Sequence, residues 1–417
     1  TTSSNLVAIG SKSGQAVTTG ASGSTFVGYS SGFGVTTGTN NTLIGHEAGK
    51  ATTSGNENVA LGSGSLLANT TGDQNIAIGF SALAAVNPSS SIDTSNVGIG
   101  YRVGFSLNTG IKNILIGCDA GYYSTTASSN VAIGHNALYT NVDGDGSVAI
   151  GFEALYTSEP ADGSSHNTAI GYRAGKAATT AVGVTFVGSR SGEAITTGNN
   201  NAGFGVGSLR DTTVGVNNTA IGPYAMQGNV QGDKSVAVGH SALIVQNAAS
   251  SGDDMHNTAV GYESGYSTTV GIGNTFIGSE SGRLGTSSLK NTAVGHRSLY
   301  TLAPSDGLSE NVGIGASAGL LVSTGVKNTL LGSLAGDVIT TGDQNIMIGY
   351  GCDPSAATTD NEIVIGSGTV GHGANITVIG NTDNTAWHPA DDNGVDLGST
   401  AYSFKDTYIQ GSLKIGD

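Results

Sequence analysis

A five-residue phrase of the form Asn-Thr-Ala-Ile-Gly recurs from one end of this chain to the other, and few folds can accommodate it. Its closing glycines run from Gly10, Gly28 and Gly45 through Gly188 and Gly205 to Gly366 and Gly380, 22 copies in all, most of them 17 residues apart. Self-similarity at a fixed period of this size marks a repeat architecture, in which a unit too small to bury its own apolar face stacks on its neighbours. Four longer steps, of 20 to 22 residues, follow Gly79, Gly151, Gly239 and Gly295 and read as loop insertions around 84–96, 156–167, 244–257 and 300–311. The last step shortens to 14 residues.

Columns emerge when positions are counted from the closing glycine as zero. Position −1 is apolar in all 22 copies, and position −3 is β-branched in every copy except Ala202. In a strand these two share a face, so they are expected to point into the core. Position −2 is mostly Ala, with Gly, Phe, Leu, Met or Val elsewhere, and never charged. Both strand faces are therefore apolar, as when the outer face of a sheet is also covered. Position −4 is Asn in 15 copies and Ser in three more, which suits a turn whose amides bond the coils above and below. Position +3 is Ala or Ser in 18 copies, mostly followed by Gly or Leu, and a second turn follows, often Thr-Thr-Gly as at Thr36–Gly38 and Thr340–Gly342. Each period then reads as strand, turn, second short strand and turn. The expected fold is all-β, a parallel β-solenoid or β-roll of about 22 coils, stacking in register to roughly 100 Å.

Residues 1–380 form the repetitive shaft in this reading, and 381–417 a C-terminal β cap or trimerisation segment. The latter breaks the period and carries Trp387, His388, Pro389, Tyr402, Phe404 and Tyr408, as a solenoid needs to cover its last open coil. No matching cap precedes Gly10, so the N-terminal end is expected to stack on another segment or protein.

Composition narrows the function. The formal charge is −15, from 30 acidic and 15 basic residues, a sign that repels phosphate backbones and anionic lipid and disfavours nucleic-acid and membrane-surface binding. No apolar run approaches the roughly 18 residues of a membrane span. The opening residues Thr1–Gly10 hold neither a basic region nor a hydrophobic signal core, so export is expected through a removed signal or by cell lysis. Two cysteines are no disulfide framework.

A coil of 17 residues is a thin core, and an uncharged outward column running its whole length calls for association with identical chains. The order of that association comes from a resemblance. Asn167–Gly175 (NTAIGYRAG), Asn257–Gly265 (NTAVGYESG) and Ser235–Leu243 (SVAVGHSAL) resemble the head repeats of YadA-type trimeric autotransporter adhesins, left-handed β-rolls wound as trimers with 14-residue coils. The 17-residue spacing departs from theirs. The chain is more similar to the repeat regions of phage long tail fibres, and the segment 392–417 resembles the stretch that precedes a cleaved C-terminal trimerising chaperone in such fibres. The resemblance implies a left-handed, homotrimeric extracellular fibre of a phage virion. Its expected partners are other virion proteins at the N-terminal end and a host cell-surface glycan or protein, and the insertions are the expected contact sites. A bacterial adhesin head of the same architecture, on the cell surface, is the alternative. A monomeric ice- or glycan-binding solenoid is a third reading.

Residues that could carry chemistry read as parts of the repeat. His46, His135, His240 and His296 directly follow a closing glycine, in a column otherwise holding mostly Tyr, Phe or Ser, and are expected to pack in a half-exposed stripe. Three copies of one such histidine could meet on a trimer axis. Cys118 and Cys352 lie 13 coils apart, too far to bridge, and are expected to be small buried thiols. Asn141–Gly146 resembles the start of a calcium loop, but Phe152 stands where its closing glutamate belongs, so a turn is expected. Gly203–Ser208 resembles a nucleotide-binding loop but sits in the repeat frame. The acidic residues, among them Asp93, Glu159, Asp162, Asp253, Asp254 and Asp306, fall in turns and insertions with no paired arrangement. No enzyme activity, cofactor, metal or catalytic residue is expected.

Overall fold

The structure, a computed structural model of the single chain, describes residues 5–18, 20–159, 163–303, 308–385, 401–402 and 405–410. The chain is all-β, with no helix among the described residues. Twenty-two strands of three residues each, from Val7–Ile9 to Thr377–Ile379, stack as one parallel sheet. Each strand occupies positions −3 to −1 and pairs in strict register with the next coil, as in Val131↔Val148, Ala132↔Ala149 and Ile133↔Ile150. The result is a β-solenoid of about 21 turns.

The expected second strand is replaced by consecutive turns. Position +2 takes a left-handed backbone (Ser30 φ 53, Arg102 φ 47, Glu153 φ 52), and so does position +4 (Gly32 φ 56, Leu138 φ 50). Two such residues within three curl the chain too tightly for extended pairing. The backbone still bonds from coil to coil, through Gly32 N–H to Ala48 carbonyl (2.9 Å) and Gly49 N–H to Ser65 carbonyl (2.9 Å). Stacked peptide groups thus satisfy one another outside the sheet as well as in it.

The closing glycine ends the strand with φ near +135°, for example 133 at Gly28 and 138 at Gly171. These glycines stack directly on one another, and a Cβ on Gly10 would sit 2.6 Å from the carbonyl oxygen of Gly28. Both the angle and the spacing exclude every other residue.

Burial inverts the expected strand orientation. Position −2 points inward, with Phe26, Leu43, Ala60, Ala77, Ala132 and Phe186 fully buried, whereas positions −3 and −1 face out. The interior beside the sheet is one side chain deep. It therefore takes the single middle residue of each three-residue strand, and the two β-branched or aliphatic flanks are left outside.

What fills that interior is shared between positions −2 and +4. A large residue at −2 faces glycine at +4, as in Phe26/Gly32, Leu43/Gly49, Leu115/Gly121, Phe186/Gly192 and Phe276/Gly282. A small residue at −2 faces leucine or methionine at +4, as in Ala60/Leu66, Ala132/Leu138, Gly203/Leu209 and Ala220/Met226, with those larger side chains buried. Where both are small, the adjacent coils reach in: a Cβ on Gly104 would meet Leu83 (2.7 Å) and Leu115 (2.9 Å), and one on Gly265 would meet Leu243 (2.8 Å) and Phe276 (2.9 Å). Volume is conserved along the rod, not within each coil, as close packing requires.

The asparagine column forms the expected ladder. Asn58 donates its backbone N–H (3.0 Å) and its amide Nδ2 (3.2 Å) to Oδ1 of Asn41, and its Nδ2 also reaches the Gly72 carbonyl (3.0 Å). The same pattern joins Asn274 to Asn257 and Asn291 to Asn274. Near the C-terminal end, Glu362 takes the asparagine position. It receives the ladder from Asn345 through its backbone N–H (2.9 Å), but its carboxylate only accepts, from Ser355 N–H (2.8 Å) and Gly373 N–H (2.6 Å). The next coil has Ile376 at this position, with no amide to donate back to it, so the ladder stops there, at the short final step.

The proposed C-terminal segment falls mostly outside the described residues, including Trp387, His388, Pro389 and Phe404. Tyr402 and Tyr408 are exposed in the single chain.

Candidate functional site

The outward strand residues form a continuous apolar stripe from the first coil to the last. Ile9 (60% exposed), Leu61, Ile99, Ile170, Phe204, Ile221 (42%), Ile277, Ile314, Leu331 and Ile379 carry it at position −1, and Val7, Ile76, Ile114 and Val236 at position −3. At about 4.8 Å per coil the stripe is roughly 100 Å long. Soluble monomers rarely leave contiguous apolar patches beyond a few hundred Å². A parallel sheet, moreover, is ordinarily covered on both faces.

Beside the stripe runs position +1, which holds the four histidines, all of them exposed in the single chain. His46 stacks on Tyr29 (centroids 5.4 Å apart), His135 on Phe152 (5.4 Å) and His240 on Tyr262 (5.6 Å). Ser241 Oγ lies 2.9 Å from Nδ1 of His240. No group of three or more His, Cys, Asp or Glu side chains able to hold a metal gathers among the described residues of one chain. Cys118 shares this column and is only half-buried, its Sγ donating to Asp119 (3.6 Å), so it is not the buried thiol expected. Position +1 faces outward whatever residue occupies it. Cys352, at position +3, is buried, and desolvation pushes its thiol up to about 11.

Position +2 carries charge that is paired between coils, with partners at position +2 or +5. Arg102 grips Asp119 with two bonds (3.1 and 3.0 Å), Glu153 bonds Arg173 (3.0 Å) and Lys176 (2.8 Å), and Arg283 bonds Glu263 (2.6 Å). Beyond it, position +5 carries an aromatic ladder unnoticed in the repeat: Phe105, Tyr122, Tyr139 and Tyr156 stack at 5.2, 5.5 and 5.0 Å with interplanar angles of 8°, 17° and 2°. Their even 17-residue spacing was readable in the sequence.

The remaining sequence candidates resolve into framework. Asn141 Nδ2 closes a turn on the Gly144 carbonyl (2.8 Å), and Asp145 accepts from Ser128 N–H (2.6 Å). In 203–208, Phe204 ends a strand and Gly205 stacks in the glycine column. The first threonine of the Thr-Thr-Gly turns spends its hydroxyl on the next coil, Thr36 to Thr53 carbonyl (3.2 Å) and Thr196 to Thr213 carbonyl (3.0 Å), and is not a free array.

The four insertions share one corner. Each returns through parallel pairing to the preceding coil: Gly72–Asp73 with Ile92–Asp93, Asp145 with Ser164, Asp233 with Asp254 and Leu289 with Leu308. Ser89–Asp93 and Ala249–Gly252 are exposed, and Asp162 and Asp306 lie outside the described residues. Among the described residues no helix is long and apolar enough to cross a membrane. No protein-family model matches the chain, and no curated protein matches its sequence.

Proposed function

We propose that this chain is the shaft subunit of a homotrimeric extracellular fibre, a phage tail fibre that holds or forms a receptor-binding region for host attachment. The observation that carries it is the apolar stripe at positions −3 and −1. It runs the length of the rod with the pitch of the rod, so the partner that covers it best is another rod of equal pitch and length, a second copy of this chain. Closed assembly about a common axis buries every stripe at once. That the copies number three rests on the resemblance of the repeats to trimeric adhesin heads, and the phage setting on the resemblance to tail-fibre repeats. The function is then mechanical: a stiff rod whose contacts are multiplied over the chains of each fibre and the fibres of each particle.

Native mass by light scattering, beside an unboiled denaturing gel, tests this directly. A species of three times 41.2 kDa, resistant to detergent, is expected. A clean monomer would sink the fibre reading.

A further inference from the structure

We propose that the aromatic surface formed by Phe105, Tyr122, Tyr123, Tyr139 and Tyr156 is a binding site for an extended, neutral oligosaccharide lying along the rod. The proposal deepens the fibre reading by giving it a contact surface. Five of the chain's 24 Phe, Tyr and Trp residues gather there.

The key residue is Tyr123. Tyr122 has both ring faces occupied, by Phe105 on one side (5.2 Å) and Tyr139 on the other (5.5 Å). Tyr123 stands at 81° to Tyr122 and 87° to Tyr139, with centroids 4.8 and 5.2 Å away, so it lies across the edges of both rings. Its plane therefore runs along the rod, one face on the ladder and the other open, and the residue is 47% exposed. A flat, buttressed tyrosine with an open face is a platform for the C–H face of a sugar ring. Its two side-chain torsions are already restrained, which lowers the entropy lost on binding.

The surroundings select the ligand. Planar hydrogen-bonding groups line the neighbouring column, but Arg102 is held by Asp119, and Arg173 and Lys176 by Glu153. Arg102 also lies over the rings of Tyr101 (4.9 Å) and Tyr122 (5.0 Å). These cations are committed, so the surface lacks the free positive charge that a phosphate backbone or an acidic glycan would need. Neutral hydroxyls suit it. The ladder repeats at about one coil, ~4.8 Å, close to the rise of one sugar in an extended chain, so successive units meet equivalent groups. The charged column also separates this surface from the apolar stripe, so that it stays outward when the stripe is covered.

The test uses the full chain in its native assembly on a printed array of neutral and sialylated tetra- to octasaccharides, with light scattering on the same samples. The wild type should bind at least one neutral oligosaccharide. Tyr123→Ala should weaken that binding by about tenfold or more, the scale of one stacking contact. Tyr123→Phe should retain it, and Tyr262→Ala, on an exposed ring outside the surface, should leave it unchanged. Binding confined to sialylated members, binding to none, or a Tyr123→Ala variant equal to wild type would overturn the proposal. A trimer that binds no glycan would leave the fibre reading standing, and a monomer that binds one would leave this site standing without the fibre.

Discussion

Position +4 holds Gly, Leu or Met in every coil up to the one closing at Gly332, and then Asp353 takes it, opposite Met347. There the backbone does not take the left-handed turn of the other coils but bridges Val370, and the half-buried carboxyl lies beside Asp337, with no hydrogen-bond partner for its Oδ1. Burial and the nearby Asp337 carboxyl push Asp353 up to about 6, so the folded state holds this proton more tightly than the unfolded chain does. Stability should then be greatest below the ordinary carboxylate range and should fall as pH rises through about 6. Asp353→Asn removes the buried charge. It is expected to stabilise the C-terminal coils at neutral pH by about 1–3 kcal/mol, with the gain vanishing below about pH 4. Hydrogen exchange of those coils at the two pH values measures it, and an equal effect at both would contradict the pairing described.

A single coil is too small to be a packing unit, and the exchange of volume between positions −2 and +4 shows how coils cooperate. In the coil closing at Gly134, Ala132 faces Leu138, both fully or almost fully buried. Leu138→Gly alone opens a cavity and should cost about 2–5 kcal/mol. Ala132→Leu alone overfills the same space, at about 1–3 kcal/mol. Together they recreate the Leu115/Gly121 arrangement of the coil below. The double variant should recover most of the loss in chemical denaturation, a coupling of the sign expected for residues sharing one cavity. Strict additivity of the two losses would show that the two positions do not share a space.

Across the whole molecule, the stripe and the rod's own stability are separable. Ile170 and Ile221 face outward in the single chain, so aspartate there costs the isolated fold little. In an assembled fibre the same charges would be buried without partners. Ile170→Asp with Ile221→Asp should therefore leave the far-ultraviolet circular dichroism unchanged while reducing the native mass towards that of one chain. Assembly that survives both substitutions would move the interface to another side of the rod.

The repeat, its 17-residue pitch, the parallel register, the asparagine ladder and the shared corner of the insertions were all legible in the spacing of Gly, Asn and the β-branched residues. Each follows from local rules: an αL or tight-turn requirement, a polar group needing a partner, a strand preference. The complementary sizes of Phe26 and Gly32, or Ala132 and Leu138, and the ladder from Phe105 to Tyr156 were also present as columns, visible once positions +4 and +5 are aligned. The orientation of the strand was not. When both faces of Thr25-Phe26-Val27 are apolar, alternation does not say which one is inside, and the regular β-branched column passes for the core. Only the tertiary structure decides it, because an interior one side chain deep accepts the middle residue and tunes its size against a distant position, leaving the two uniform flanks for a surface beyond the chain itself.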